Sequence, residues 1–248
     1  MHWDMKKYHM INNEIESMKL YEKCSSYKEE ILKRSKAIIC NSELEKELIK
    51  SEFHVIVCNE VIYNGVEVEN DDIPLYDFKE RYNLNNYVLC VGRISQSKNQ
   101  LALCRICAEL GKQLVLIGNV NDNEYLKECT NFKNVVYLGF MDNYNVYNAY
   151  RFAKVHVNPS FVGMPGLSSL EAAASGCNIV STKEGCAKEY FKEMAFYCDP
   201  YDNNSILSAV KKGFEKRKDN ILKNYVNKNF NYEKLTNDLY KTYLEILK

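Results

Sequence analysis

The sequence lacks an excess of charge of either sign: 33 Lys and Arg balance 33 Asp and Glu over 248 residues. A protein-wide field that attracts nucleic acid is thereby excluded, and only a local basic site remains as a way to hold phosphate. It also lacks any run of about 18 apolar residues, so no membrane-spanning helix is expected. The first ten residues, MHWDMKKYHM, contain no apolar signal core, so a cytoplasmic location is expected. Ten cysteines are present, yet the CxxC of Cys104 and Cys107 has no second pair at metal-ligand spacing and no strand-turn context. Cys40, Cys58, Cys90 and Cys177 lie in or beside apolar runs such as AIIC and YVLC, where a thiol packs as a small hydrophobe. Reduced, structural thiols and no bound metal are therefore expected. No GxGxxG follows the first clear strand, which argues against a dinucleotide-dependent dehydrogenase. No internal repeat or low-complexity linker is visible.

What is present is a regular alternation, with 46% hydrophobic residues available for a core. Strands are expected at HVIVCNEVIYNGV (54–66), YVLCVGRI (87–94), QLVLIG (113–118), VVYLGF (135–140), VHVNPS and NIVST. Between them, helices are expected at NQLALCRICAELG, through Tyr125 and Leu126, at NVYNAYRFAK (145–154), at SSLEAAASG and, after NIVST, at EYFKEM. Val, Ile and Leu fill the strands continuously rather than alternately, the mark of strands buried on both faces. The fold expected is α/β, a Rossmann-like doubly wound parallel sheet with right-handed crossovers. Residues 1–36 read instead as polar and helical, followed by a weak strand at AIIC and a helix at SELEKELIK. Ser42 and Glu45 have capping-box spacing for that helix. The last segment, 232–248, is amphipathic, with Leu235, Leu239, Tyr243 and Leu247 on one stripe.

An open parallel sheet binds ligands beyond the carboxyl ends of its strands, and two segments there carry chemistry. In VGRISQSKNQ, Gly92 and Arg93 end a strand and Lys98 opens the next helix, with Ser97 and Gln100 at capping-box spacing. A planar guanidinium and a point-charge ammonium suit a diphosphate, although two solvated basic residues beside a turn are an equal reading. In PSFVGMPGLSSLEAAASG, a Gly- and Pro-bearing loop runs from a strand into a helix near Ser168. Gly166 permits close backbone approach, and the free amides of the helix start favour an anion. Glu171 has two readings that are not exclusive. It closes a capping box with Ser168, or it accepts hydrogen bonds from a ribose diol.

Taken in order, CNSELEKELI, VIYNGVEVE, VGRISQSKNQ, LVLIG, VVYLGFM, AKVHVNPS and PGLSSLEAAASGCNIVST resemble the C-terminal half of family 4 (group 1) retaining glycosyltransferases. The resemblance runs from about residue 37 to 200 and implies a GT-B fold, two Rossmann-like domains facing a cleft. It implies that Arg93 and Lys98 grip the diphosphate of a UDP- or GDP-sugar donor, without a cofactor or metal. Glu171 would match the second glutamate of the family's Glu-x7-Glu motif, at the ribose. The loop Gly163, Met164, Pro165, Gly166, Leu167 and Ser168 would meet the phosphates. Gly92 would lie beside them, and Gly139, Phe140 and Met141 would line the base, although Phe140 and Met141 read equally well as core.

Two departures qualify the resemblance. Gly163 stands where the family pattern has its first glutamate, so no carboxylate there faces the transferring sugar. Such preorganised electrostatic terms can be worth about 3 to 4 kcal/mol. Glu184 and Glu189 are nearby substitutes, although Glu189 reads better as support for a helix start. The second departure is a short N-terminal part, in which His2 and His9 lie too near the start to supply the family's catalytic histidine. His156 lies inside a strand, where a core role is favoured. The expected domains are 1–53, a remnant of the acceptor side; 54–231, the nucleotide-sugar-binding domain; and 232–248, a helix packing back toward the N-terminal part. The expected function is glycosyl transfer to an unknown acceptor, in polysaccharide or glycolipid synthesis, in the cytoplasm or peripherally at the inner face of the membrane. The alternative is a weak or inactive nucleotide-sugar-binding subunit that needs a partner chain or self-association through 1–53 and 232–248. No nucleic acid partner is expected.

Overall fold

The computed structural model describes residues 5–12, 14–53, 59–67, 74–163 and 166–248. They form two units, Met1–Gly65 with Phe230–Lys248, and Val66–Asn229.

The first unit begins with α1 (Met5–Ile11) and α2 (Ile15–Arg34), then pairs β1 (Ile38–Cys40) in parallel with β2 (Asn59–Val61) across α3 (Glu43–Phe53). Ser42 caps α3: its Oγ accepts from the Glu45 amide at 3.0 Å, while the Glu45 carboxylate accepts from the Asn41 amide at 2.8 Å. That is the expected box, its return arm reaching one residue further back. Leu32, Cys40, Ile49 and Phe53 form a small core. The strand expected over 54–66 is shorter than its apolar run. It ends at Val61, with the Ile62 amide still donating to the Cys40 carbonyl (2.8 Å). Residues 54–58, including Cys58, lie outside those described.

The second unit is a six-stranded sheet with helices on its crossovers. In chain order come α4 (Phe78–Arg81), β3 (Tyr87–Val91), α5 (Gln100–Glu109), β4 (Gln113–Ile117), α6 (Asn123–Thr130), β5 (Val135–Tyr137) and α7 (Asn143–Phe152). Then follow β6 (Val155–Asn158), α8 (Leu167–Ala174), β7 (Asn178–Thr182), α9 (Ala187–Phe191), β8 (Phe196–Cys198), α10 (Asn203–Glu215) and α11 (Ile221–Asn229). The last helix, α12 (Tyr232–Ile246), belongs to the first unit. Strand order is β5-β4-β3-β6-β7-β8, every neighbour parallel. Val88, Leu114, Leu116, Val155, Val157 and Val180 are completely buried, so the continuous apolar runs mark strands covered on both faces. Aspartates set several helix starts: Asp122 accepts from the Glu124 and Tyr125 amides, Asp142 from Asn145, and Asp202 from Asn204.

Nine cysteines among the described residues are free thiols, and all but Cys24 are buried. Burial pushes the Cys90 thiol up to about 12 and the Cys177 thiol to about 11, so both stay protonated and inert. No helix among the described residues is long and apolar enough to cross a membrane.

Candidate functional site

The chain enters the sheet at β3, runs outward through β4 to β5, and crosses back to β6 on the other side of β3. The order reverses between β3 and β6, so a crevice opens beyond their carboxyl ends. The exits of β3, β4 and β5 form a hydrogen-bonded row. The Gly92 amide donates to Ile117, the Ile94 amide to Asn119, and the Gly118 amide to Gly139, at 2.8–2.9 Å. The Tyr137 hydroxyl donates to the Gly118 carbonyl at 2.8 Å. Only glycine fits at 118, with φ +146° and a Cβ position 2.1 Å from the Gly92 carbonyl oxygen. At the outer end of the row Phe140 is 70% exposed, which corrects its reading as core; Met141 is half-buried. Beyond Tyr137 the contact with β4 continues, the Leu138 amide donating to the Leu116 carbonyl at 3.0 Å, before the chain turns at Gly139, φ +75°.

The loop after β3 carries Arg93, exposed, and Lys98, half-buried at the end of a short 3-10 turn, Gln96–Lys98. Lys98 therefore precedes α5 rather than opening it. The expected Ser97–Gln100 capping box does not form. Asn99, left-handed at φ 57°, is the residue before α5, and Ser97 Oγ lies 3.2 Å from Ser95 Oγ instead. The Gln100 side chain turns back to brace the loop, donating to the Arg93 carbonyl at 2.8 Å. Buried Asn99 donates to the carbonyls of Pro159 (3.3 Å) and Pro200 (2.9 Å), joining the exits of β3, β6 and β8. Asparagine tolerates the left-handed region, which is the signal in SKNQ that could have marked this residue. The Lys98 ammonium is close enough to Cys90, at the end of β3, to oppose the rise that burial gives its thiol.

The loop after β6 is tied to the loop after β3. The Phe161 amide donates to the Ser97 carbonyl at 3.0 Å, and the buried Ser160 hydroxyl lies 3.1 Å from the same oxygen. Gly163 is in backbone-to-backbone contact with the loop after β7: a Cβ on it would lie 1.5 Å from the Glu184 carbonyl oxygen, and its own carbonyl accepts from the Cys186 amide at 3.0 Å. A glutamate is thus excluded from 163 by this loop conformation, not merely absent. Met164 and Pro165 lie outside the described residues. Gly166 is the residue before α8, Leu167 is 51% exposed, and Ser168 is half-buried.

The structure excludes the capping-box reading of Glu171. α8 begins at Leu167, two residues earlier than a Ser168 cap requires, and no side chain caps it. Glu171 is a full turn inside the helix, beyond reach of the cap amide. Its Oε2 accepts instead from the Tyr150 hydroxyl of α7 at 3.1 Å. Tyr150 is fully buried and packs edge-on to His156, ring centroids 5.7 Å apart. His156, on β6, lies 3.4 Å from both the Val91 amide and Ser169 Oγ, and burial lowers its pKa to about 3. It is a neutral core histidine. Partial burial raises the Glu171 carboxyl, against the pull of the Tyr150 hydrogen bond, although one flank of the residue faces solvent. Among the described residues no group of three His, Cys, Asp or Glu side chains is arranged to hold a metal ion.

Residues 75–229, most of the second unit, match the family model described as glycosyl transferases group 1. The chain belongs to that family. A relative is the sucrose-phosphate synthase of Spinacia oleracea, 27% identical over 152 residues, which cover 50% of this chain and 14% of that protein. Among solved structures, a sucrose-phosphate synthase from Thermosynechococcus elongatus superimposes with a TM-score of 0.79 at 19% identity, covering 91% of this chain and 62% of that one. The HepE protein of Anabaena, in complex with UDP and glucose, superimposes at 0.78 and 18% identity, covering 89% and 66%. These likenesses show the fold of the group 1 glycosyltransferases, GT-B. The chain spans only a small fraction of the curated relative, 14%, and under two thirds of the first structural one.

Proposed function

We propose that this group 1 glycosyltransferase binds a UDP- or GDP-sugar in the crevice between the exits of β3 and β6, and transfers the sugar to an acceptor hydroxyl with retention of anomeric configuration. The observation that carries the reading is the hydrogen-bonded junction of the loop after β3, which bears Arg93 and Lys98, with the loop after β6, which leads toward α8, at the point where strand order reverses and inside the segment matched by the family model. Binding of UDP and glucose by the HepE structure supports the same donor class.

In the reaction the bond between the anomeric carbon and the diphosphate oxygen breaks, the acceptor oxygen bonds to that carbon, and the acceptor proton is released. Negative charge grows on the departing diphosphate. Arg93 and Lys98 neutralise it, and the amides around Gly166 and Leu167, with the α8 dipole, add hydrogen bonds. Glu171 holds the ribose diol, with Tyr150 as a positioning residue that fixes the carboxylate. Gly139, Phe140 and Met141 line the base, Phe140 offering an exposed ring at the outer end of the rim. No metal is required, because cationic side chains and amides carry the charge. Following the resemblance, the acceptor is assigned to polysaccharide or glycolipid synthesis, in the cytoplasm or peripherally at the inner face of the membrane.

One observation favours a second reading, a donor-binding subunit completed by a partner chain or by self-association. In the first unit, Ile15, Tyr27 and Ile31 of α2, Tyr240 and Tyr243 of α12 and Leu247 just after it are each more than half exposed, Leu247 at 78%. Of the expected α12 stripe only Leu235 is buried. Incubation with UDP- and GDP-sugars, with release of UDP or GDP followed by mass spectrometry, separates the readings. Release that Arg93→Ala/Lys98→Ala abolishes supports a transferase. Donor binding with no release, alone or with candidate acceptors, selects the subunit.

A further inference from the structure

The opposite, amino-terminal end of the sheet holds a different feature, a cavity of about 360 Å³ lined by Arg151, Ser175, Gly176, Lys218, Asp219 and Lys223 among others. Arg151 ends α7 just before β6, Ser175 and Gly176 join α8 to β7, and Lys218 and Asp219 precede α11. The stem of Lys223 crosses Gly176, where an added Cβ would meet its Cδ at 3.7 Å. The lining contains one carboxylate, and it is already committed. One oxygen of Asp219 accepts from the Ile221 amide at the start of α11 (3.0 Å), and the other lies 3.3 Å from the Lys216 ammonium.

We propose that this cavity is a second anion site, separate from the donor crevice, which takes a phosphate-bearing ligand: a phosphomonoester or diphosphate, free or as a lipid headgroup. Three cations converge on one concave polar space in a chain whose total charge is zero. The simplest competing account is that they cap the carboxyl ends of α7 and α8. Lys218 does so, donating to the Arg151 carbonyl at 2.8 Å. Capping does not require Arg151 and Lys223 in the same cavity. Burial makes the charged form of Lys218 costly; Cys177 opposes this in part, and repulsion from Arg151, Lys154 and Lys79 adds smaller contributions in the same direction as burial. A bound anion reverses that cost. Donors are sufficient: an ammonium has three and a guanidinium five, so Lys218 can serve the Arg151 carbonyl and a ligand together.

The test uses the full chain carrying Arg93→Ala/Lys98→Ala, so that the donor crevice does not compete. Calorimetric titration with inorganic pyrophosphate is one arm. Co-flotation with phosphatidylglycerol vesicles, against phosphatidylcholine vesicles, is the other. Each arm is repeated with Arg151→Gln/Lys223→Gln added, which leaves the Lys218 bond to a backbone carbonyl in place. Saturable pyrophosphate binding that weakens at least about tenfold supports a free phosphate ligand. Flotation only with phosphatidylglycerol, lost in the added variant, supports a lipid headgroup. Absence of binding in both arms overturns the proposal, as does binding that the added variant leaves unchanged. A melting curve of the added variant shows whether it is folded. Should it melt early, single Lys223→Glu, with an expected loss of about tenfold or more, replaces it.

Discussion

The two ends of the same six-stranded sheet are built by different means. The carboxyl end is a lattice of backbone contacts and buried polar side chains: Gly118 against Gly92, Gly163 against Glu184, Asn99 between two prolyl carbonyls, and Ser160 beside Ser97. The amino end is shaped by long cationic side chains around a polar cavity. A backbone lattice holds exposed groups such as Arg93 in a fixed place and tolerates few substitutions, because each contact has no slack. Long side chains tolerate change and contribute mainly charge. If the comparison is sound, substitutions at the carboxyl end cost stability, whereas those at the amino end alter anion affinity.

The largest effect expected at the carboxyl end is a pH dependence from His156. Its folded pKa of about 3 lies below the ordinary 6.5, because burial disfavours the charged ring. Below pH 6.5 the unfolded chain takes up a proton that the folded chain refuses. The stabilisation is complete above 6.5 and is lost as pH falls toward about 3, on the order of 5 kcal/mol over that window. Denaturant titrations between pH 7 and 4 should show a slope that His156→Gln flattens; equal slopes would sink the assignment. Next is Gly163→Glu, which drives a Cβ into the Glu184 carbonyl. It should cost about 3 kcal/mol and give no gain in transfer rate. A variant of wild-type stability would mean that the loop after β6 accepts a carboxylate after all. Asn99→Ala loses two hydrogen bonds and a side chain suited to the left-handed region, for a cost of about 2 kcal/mol by thermal melting. The smallest is Tyr150→Phe, about 1 kcal/mol or less in stability. It should weaken donor binding a few-fold while UDP and UDP-sugar affinities fall together, as expected if Glu171 holds the ribose common to both.

Much of this was legible in the sequence, and the exceptions have physical causes. The β3, β4, β6 and β7 strands were visible because Val, Ile and Leu fill them without interruption, and their order with the intervening helices implied the doubly wound sheet. β8, α10 and α11 were not. FYC is three residues long, and α10 hides its buried face, Ile206, Ala209, Val210 and Gly213, behind Asn and Lys on the others. Both capping boxes on the functional loops were misread for one reason: spacing does not say where a helix begins. Asn99 and Gly166 start α5 and α8 instead, which freed Gln100 to brace Arg93 and Glu171 to meet Tyr150. Tyr150 itself carried no signal, since its role depends on α7 packing beside α8, a contact between residues 21 apart. The missing carboxylate at 163 was plain in the sequence, but its cause, the Glu184 carbonyl, was visible only in three dimensions.

The central claim is that the switch-point crevice binds a nucleotide diphosphate through Arg93 and Lys98. It is tested most directly by calorimetric titration of the full chain with UDP, GDP and their sugar conjugates, beside the Arg93→Ala/Lys98→Ala variant. The account predicts saturable binding of one base in preference to the other, weakened about a hundredfold or more in the variant, since two charge-assisted contacts to phosphate are removed. Absence of binding by the folded wild type, or equal binding by the variant, would contradict it.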